Sequence, residues 1–311
     1  MKYIAKRTLT FLVTLLLVSI GAFLAFSIIP GDAALVQLGT EATPEALAAL
    51  RAQLGLDLPL FTRYVQWLGQ FLFGDMGQSH FFGMSVREML SDRLVITGTL
   101  LTLSAVILTV LALPLGLFAG HRRHGKGMVT TITEQVFMAM PPLFLGILLT
   151  FVFGVVLRLF VPSAVPSPRE DFAGFLGHLF FPALAIALPK AAMATRIIRT
   201  AVADELQQDY VLTAHSRGNT RYAVLFRHIL PNVAVPAITF LLLALTMMIT
   251  DAIVVEHLFS IHGLGRLLVS AIGNRDYPVV QALVMLIAAM VIALNFLTDI
   301  LCRTIDPRLT R

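Results

Sequence analysis

Uncharged apolar stretches of about twenty residues recur along this chain, and nothing else in it restricts the fold so strongly. A helix rises about 1.5 Å per residue, so roughly 20 apolar residues cross the hydrocarbon of a bilayer. No water is available there, so the backbone must satisfy its own hydrogen bonds, and continuous runs do this as helices. Such runs occupy residues 9–29, 95–120, 136–157, 179–194, 233–255 and 278–302. The fourth is the weakest, interrupted by Pro189 and Lys190, while the fifth carries Asp251 and the sixth Asp299. Only 13% of the 311 residues are charged and 57% are hydrophobic, too little charge to cover a soluble domain of this size. The expected fold is an all-α membrane protein with six transmembrane helices. Its regions are 1–29, the N-terminal segment with the first span; 30–94, an extracytoplasmic segment; and 95–311, a five-span core.

Six spans put both termini on one side, and basic residues say which. With the N-terminus in the cytoplasm, fourteen of the 23 Lys and Arg fall in inner segments, eight in outer ones, and Lys190 within a span. Both termini are therefore expected to be cytoplasmic. The net charge of +5 is accounted for by topology, with lipid as the implied partner and no nucleic acid. The basic start (Lys2, Lys6, Arg7) before an apolar run imitates a signal peptide, but Ser27-Ile28-Ile29-Pro30 offers no small-x-small cleavage site, so an uncleaved first helix is expected. The single cysteine, Cys302, excludes an internal disulfide framework and any cysteine-based metal cluster within the chain.

Local signals give the long segment 30–94 its own structure. Thr43-Pro44 reads as an N-cap followed by proline at the first helical position, Gly55 as the residue past the helix end, and Leu47, Leu50 and Leu54 recur at helical spacing between them. A second short helix follows Pro59 and carries Leu60, Tyr64 and Trp67. Together they form a helical lid on the outer face.

The connector 196–232 between the fourth and fifth runs is too long for a turn. Across 204–218, the acids Asp204, Glu205 and Asp209 come early and His215 and Arg217 late, an order that complements a helix dipole. Gly218 suits the left-handed residue that ends such a helix, Asn219 or Thr220 caps the next, and Pro231 fits the first turn of the fifth span. The result is a short amphipathic helix that cannot cross the bilayer and lies at its surface.

Here the chain resembles the permeases of ATP-binding-cassette importers. Thr213-Ala214, Gly218 and Leu230-Pro231 fall at the spacing of their shared cytoplasmic motif, although the first position, often Glu in the wider superfamily, is Leu212. The rest resembles the dipeptide/oligopeptide/nickel branch from end to end. The matching stretches include Pro30-Gly31-Asp32, Leu54-Gly55-Leu56-Asp57, Gly74-Asp75-Met76-Gly77 with Ser79, Asp209-Tyr210-Val211 and Asn232. Glu256, Gly263-Leu264-Gly265-Arg266, Asn274-Arg275-Asp276-Tyr277-Pro278 and Asp306-Pro307-Arg308 continue the series. The resemblance implies a permease half that pairs with a second, similar permease. It further implies two cytoplasmic ATPases that use ATP and magnesium, and an extracytoplasmic binding protein that delivers substrate. On that reading 204–218 is the coupling helix, with Glu205, Asp209, Tyr210, Thr213, Ala214, His215, Arg217 and Gly218 as its coupling residues. The cargo would be a peptide or a nickel complex.

The chain itself is expected to bind no cofactor and catalyse nothing. The stretch from Gly120 through His121, Arg122, Arg123, His124, Gly125 and Lys126 to Gly127 nearly spells a phosphate loop. It has glycine where the Ser or Thr hydroxyl that binds magnesium belongs, and it follows a membrane helix instead of a strand. His121 and His124 have metal-ligand spacing, but the intervening arginines repel a cation. His257 and His262 near Glu256 are the better-placed pair for a nickel-bearing cargo, while the adjoining glycine turn accounts for them without metal. An acid within a span faces a cavity or a partner. Asp251, which departs from the branch pattern, thus lines the translocation path, snorkels toward the outer surface or pairs within the bundle. Met247 and Met140 are the accompanying path candidates, beside the helix-breaking Pro141-Pro142. The rival class is a self-sufficient secondary transporter or channel, which the ATPase-docking segment disfavours.

Overall fold

The computed structural model describes residues 2–28, 43–53, 57–120, 127–161, 165–166, 168 and 170–305. Those residues form helices and connecting turns, with a single antiparallel bridge between Gln78 and Ser85. The expectations placed on Pro30-Gly31-Asp32, on Leu54, Gly55 and Leu56, on the 121–126 loop with its histidines, and on Asp306-Pro307-Arg308 lie outside the described residues.

The helices are α1 (Lys2–Ile28), α2 (Pro44–Gln53), α3 (Leu60–Leu72), α4 (Val86–Gly120), α5 (Gly127–Ala139), α6 (Pro142–Leu149), α7 (Phe172–Glu205), α8 (Asp209–Ser216), α9 (Arg221–Val224), α10 (Leu230–Leu258), α11 (Leu264–Gly273) and α12 (Tyr277–Ile305). Two π-helical stretches, Thr150–Val156 and Leu225–Ile229, extend α6 and join α9 to α10. Among the described residues five helices are long and apolar enough to cross a membrane, within Ala5–Ser27, Val86–Gly120, Phe172–Glu205, Arg221–Leu258 and Tyr277–Thr304. A sixth span exists if a bent pair is counted as one.

That pair corrects the third expected span. In place of one helix over 136–157, Met128–Ala139 and Pro142–Val156 meet at 101°. Pro141 is extended (φ −62, ψ 148) and Pro142 opens the next helix. Neither proline has an N–H to give to the preceding turn, so the helix ends and restarts in a new direction. The fourth span is corrected in the opposite sense: Pro189 and Lys190 do not interrupt it, and α7 runs through Pro182 and Pro189 without a break. Both prolines are buried, and neighbouring helices supply what an isolated proline-bearing helix lacks.

The chain divides into two compact units, residues 1–95 with 267–293 and residues 96–266 with 294–311. In the first, α3 packs on α1: Tyr64 Oη and Ser19 Oγ are 2.7 Å apart, and Phe23 meets the rings of Tyr64 and Trp67 at 5.5 and 5.7 Å. Thr43 caps α2 as its sequence predicts, its hydroxyl accepting from the Ala46 N–H at 3.2 Å. The loop at 79–82 is tied to the start of α12 by buried Asp276, whose carboxylate accepts from the Ser79 hydroxyl and from the His80 and Phe81 N–H groups at 3.1 and 3.4 Å. Burial holds His80 below its ordinary pKa of 6.5, and Asp276 opposes that shift.

In the second unit α7 is the central element, packed against α5, α6 and α10, with α10 also against α6. Alanines 183, 185, 187, 191 and 194 of α7 are buried, and short side chains let neighbouring helices approach closely. A second node gathers around Glu256, which is fully buried. Its carboxylate accepts from the Thr97 hydroxyl at 2.5 Å, from the Gly265 N–H at 2.7 Å and from the Arg266 N–H at 3.3 Å. A Cβ on Gly263 would stand 2.3 Å from Glu256 Oε1 and one on Gly265 2.4 Å from Ile253 Cα, so this turn requires glycine by close approach.

Candidate functional site

The site is built where α7 hands over to α10. Helix α7 ends at Glu205, residues 206–208 turn, and Gln208 is extended (φ −77, ψ 144) before α8 begins. The helix expected over 204–218 is therefore shorter, Asp209–Ser216, because Glu205 completes the preceding helix. Asp209 occupies its first turn and His215 its last, as the macrodipole favours. Gly218 takes φ +82, a region where a Cβ is strained. Its N–H donates to the His215 carbonyl at 2.9 Å, and the Asn219 side chain donates to the Ala214 carbonyl at 3.0 Å, so the last carbonyls of α8 are satisfied. Thr220 then caps α9 by accepting from the Ala223 N–H at 3.3 Å.

Two residues, Val211 and Ala214, are the buried face of α8. Asp209, Tyr210, Thr213, His215, Arg217 and Gly218 are exposed. Leu212, which stands where the motif often has Glu, is 69% exposed, and Tyr222 and Phe226 beyond the turn are 66% and 50% exposed. An eight-residue helix gains little stability from its own hydrogen bonds, so it needs external attachment. A polar triad provides it. The Tyr210 hydroxyl donates to Glu205, and the Asn232 amide donates to Glu205 Oε2 and Tyr210 Oη, both at 3.1 Å. Partial burial and the adjacent Glu205 raise the Tyr210 phenol above its usual pKa, against a smaller opposing effect of Asn232, so it stays protonated as the donor. One residue each from the end of α7, the start of α8 and the start of α10 thus fixes the connector.

The expected path residues are distributed differently. Asp251 and Met247 lie one turn apart on α10, and Met140 packs against the core at the α5–α6 break. Asp251 has a partner within the bundle: Lys190 Nζ of α7 is 2.8 Å from its Oδ2. The contact is close but off the direction of a hydrogen bond, leaving Oδ2 without a directed donor. Sequence reading noticed both charges without joining them, although opposite charges in two spans are the signal for such a pair. It missed a second ion pair altogether: Arg199 of α7 forks onto Glu134 of α5, with Nε–Oε1 3.0 Å and Nη2–Oε2 2.8 Å, and Glu134 is buried. Asn232 stood in the family-like pattern with no role attached. Among the described residues no group of three or more His, Cys, Asp or Glu is placed to hold a metal ion.

The sequence matches two family models in series. Residues 1–100 match the N-terminal model of the membrane component of binding-protein-dependent transport systems. Residues 112–311 match the binding-protein-dependent transport system inner membrane component. The chain belongs to that family of multi-pass inner-membrane permease components. Within it, a probable peptide ABC transporter permease of Sinorhizobium fredii is 32% identical over 99% of this chain and 98% of its own length. An oligopeptide transport system permease of Bacillus subtilis is 32% identical over 99% and 98%, and a putative peptide transport system permease of Brucella abortus 34% over 98% of each. Among solved structures, a chain of the MetNI methionine ABC transporter shares the fold at a TM-score of 0.51 and 16% identity, covering 68% of this chain and 94% of that one.

Proposed function

We propose that this chain is one permease half of an ATP-driven peptide importer, coupled through α8 to a separate ATPase. The observation that carries the reading is the exposed eight-residue helix, too short to span a membrane and fixed to two spans by Glu205, Tyr210 and Asn232. Such a helix offers a rigid knob whose position is tied to the spans. Asp209, Thr213, His215 and Arg217 supply polar contacts on its exposed face, Ala214 anchors its buried one, and Gly218 makes the turn back. ATP closure of the partner would move the knob, and α7 and α10 would carry that motion to the bundle.

Peptide cargo is supported by the names of the relatives. The family description supports delivery by a binding protein. The proposed assembly is this permease, a second similar one, two cytoplasmic ATPases that consume ATP and magnesium, and a binding protein, with both termini cytoplasmic. Asp251, Met247 and Met140 are the proposed path residues, and this chain is proposed to bind no cofactor itself. The test is to purify the tagged chain from its native membrane in mild detergent, identify what accompanies it, and assay peptide uptake by the reconstituted complex. Stoichiometric ATPase subunits and ATP-dependent uptake are expected. A stable chain recovered alone, transporting on an ion gradient, refutes the proposal.

A further inference from the structure

The first compact unit contains a helix whose surface does not suit a lid in water. On α3, Phe61, Val65 and Leu72 recur along one stripe and are 77%, 51% and 75% exposed. A second stripe beside it, Tyr64, Trp67 and Phe71, makes ring contacts, and Tyr64 and Trp67 face α1. Thr62, Gln66 and Gln70 occupy the opposite side. The apolar arc of the helix therefore extends beyond its contact with α1, and the surplus is exposed. Phe73, just past its end, is 92% exposed.

The contact with α1 fixes the depth of this uncovered arc. Tyr64 and Trp67 reach Ser19 and Phe23, which lie inside the candidate span Ala5–Ser27 and not at its tip. Phe23 and Ser19 stand four and eight residues inboard of Ser27, about 6 and 12 Å along the helix axis. An amphipathic helix lying in a bilayer interface buries its apolar face about 5–10 Å below the headgroups. Aromatic residues with a polar tip are favoured at that level. The side of α1 turned away from this contact is exposed and apolar too, with Leu17 and Leu24 at 63% and 41%.

We infer that α3 is an interfacial membrane helix, with Phe61, Val65 and Leu72 seated among lipid acyl chains of the leaflet at the Ser27 end of α1 and Gln66 and Gln70 facing water. This goes beyond the coupling proposal and requires only that α1 spans the bilayer, so it stands or falls separately.

Nitroxide labels at Phe61→Cys, Leu72→Cys and Gln66→Cys, in a Cys302→Ser background, test it in lipid nanodiscs holding the full chain and its accompanying subunits. Collision with oxygen, enriched in acyl chains, is compared with collision with a water-soluble nickel chelate. The oxygen-to-nickel ratio at 61 and 72 should exceed that at 66 by about fivefold or more. A nickel-favoured ratio at 61 and 72 would make α3 a water-facing lid, and inaccessibility to both reagents would mean that another subunit covers it. Either result overturns the inference. A second reading needs no substitution, because Trp67 is the chain's single tryptophan. In the purified full-length chain, phospholipids brominated on the acyl chain should quench it about twofold, and unchanged emission would equally overturn the inference.

Discussion

Replacing Lys190 by methionine strands the carboxylate of Asp251 inside the helical bundle. The two side chains are only 13% and 19% exposed and 2.8 Å apart, so each has exchanged most of its water for the other. Removing one partner of a buried pair costs about 3–5 kcal/mol, because the survivor stays desolvated and uncompensated. The residual exposure lets the stranded group recover some hydration, which brings the expectation to about 2–3 kcal/mol. Lys190→Met and Asp251→Leu should each lower the unfolding midpoint in detergent by about 4–12 °C, taking about 2–4 °C per kcal/mol for a chain somewhat smaller than this one. The double variant carries no isolated charge and should return to within about 1 kcal/mol of the parent. The assay is a double-mutant cycle on the purified chain by thermal unfolding, followed by transport by the double variant. Single variants as stable as the parent, or a double variant that loses the sum of the two single losses, would refute the pairing. If the double variant is stable but no longer transports, Asp251 serves the path as well as the bundle.

Gly218→Pro should abolish coupling of ATP hydrolysis to transport while leaving the spans inserted, because proline cannot take φ +82; unaltered ATP-driven uptake in proteoliposomes would count against α8 as the coupling element. Gly265→Ala drives a Cβ to 2.4 Å from Ile253 Cα and should destabilise by about 1–3 kcal/mol, read as lower yield and unfolding temperature. The loop at 79–82 should loosen in acid. His80 titrates below 6.5 when folded, so the unfolded loop binds the proton first, and stability present above pH 6.5 is lost as pH falls below it. Limited proteolysis of the loop should accelerate there, and His80→Gln should remove that pH dependence.

The features legible in the sequence are those set by neighbours along the chain. Thr43 and Thr220 cap helices, Pro59 precedes one, and Gly218 ends one, because each acts on backbone groups within a few residues. Pro141-Pro142 announced a break, but its 101° angle depends on what the two pieces pack against. Pro189 and Lys190 misled for the same reason: the bundle supplies the packing and the counter-charge that make them compatible with a continuous helix. The family-like motifs were visible as strings and opaque as structure. Ser79 and Asp276 stand 197 positions apart, and Thr97 and Glu256 159 apart. No local pattern joins such pairs, since hydrogen-bonding capacity does not name its partner. The short helix between the fourth and fifth spans was legible in outline, and its attachment through Asn232 was not.

Helix α7 has a mechanical consequence. Its 34 residues measure about 51 Å, well beyond the ~30 Å of hydrocarbon. Both of its prolines lie in its first eighteen residues, whereas the stretch from Lys190 to Glu205 has none. That proline-free length, about 24 Å, keeps every backbone bond and behaves as a stiff rod. Its far end meets α8 through Glu205, it grips α5 partway along through Arg199, and it engages α10 at its near end through Lys190. The stretch from Lys190 to Glu205 is thus the stiff part of α7, and the proline-bearing half beyond Lys190 is where it has the compliance to bend.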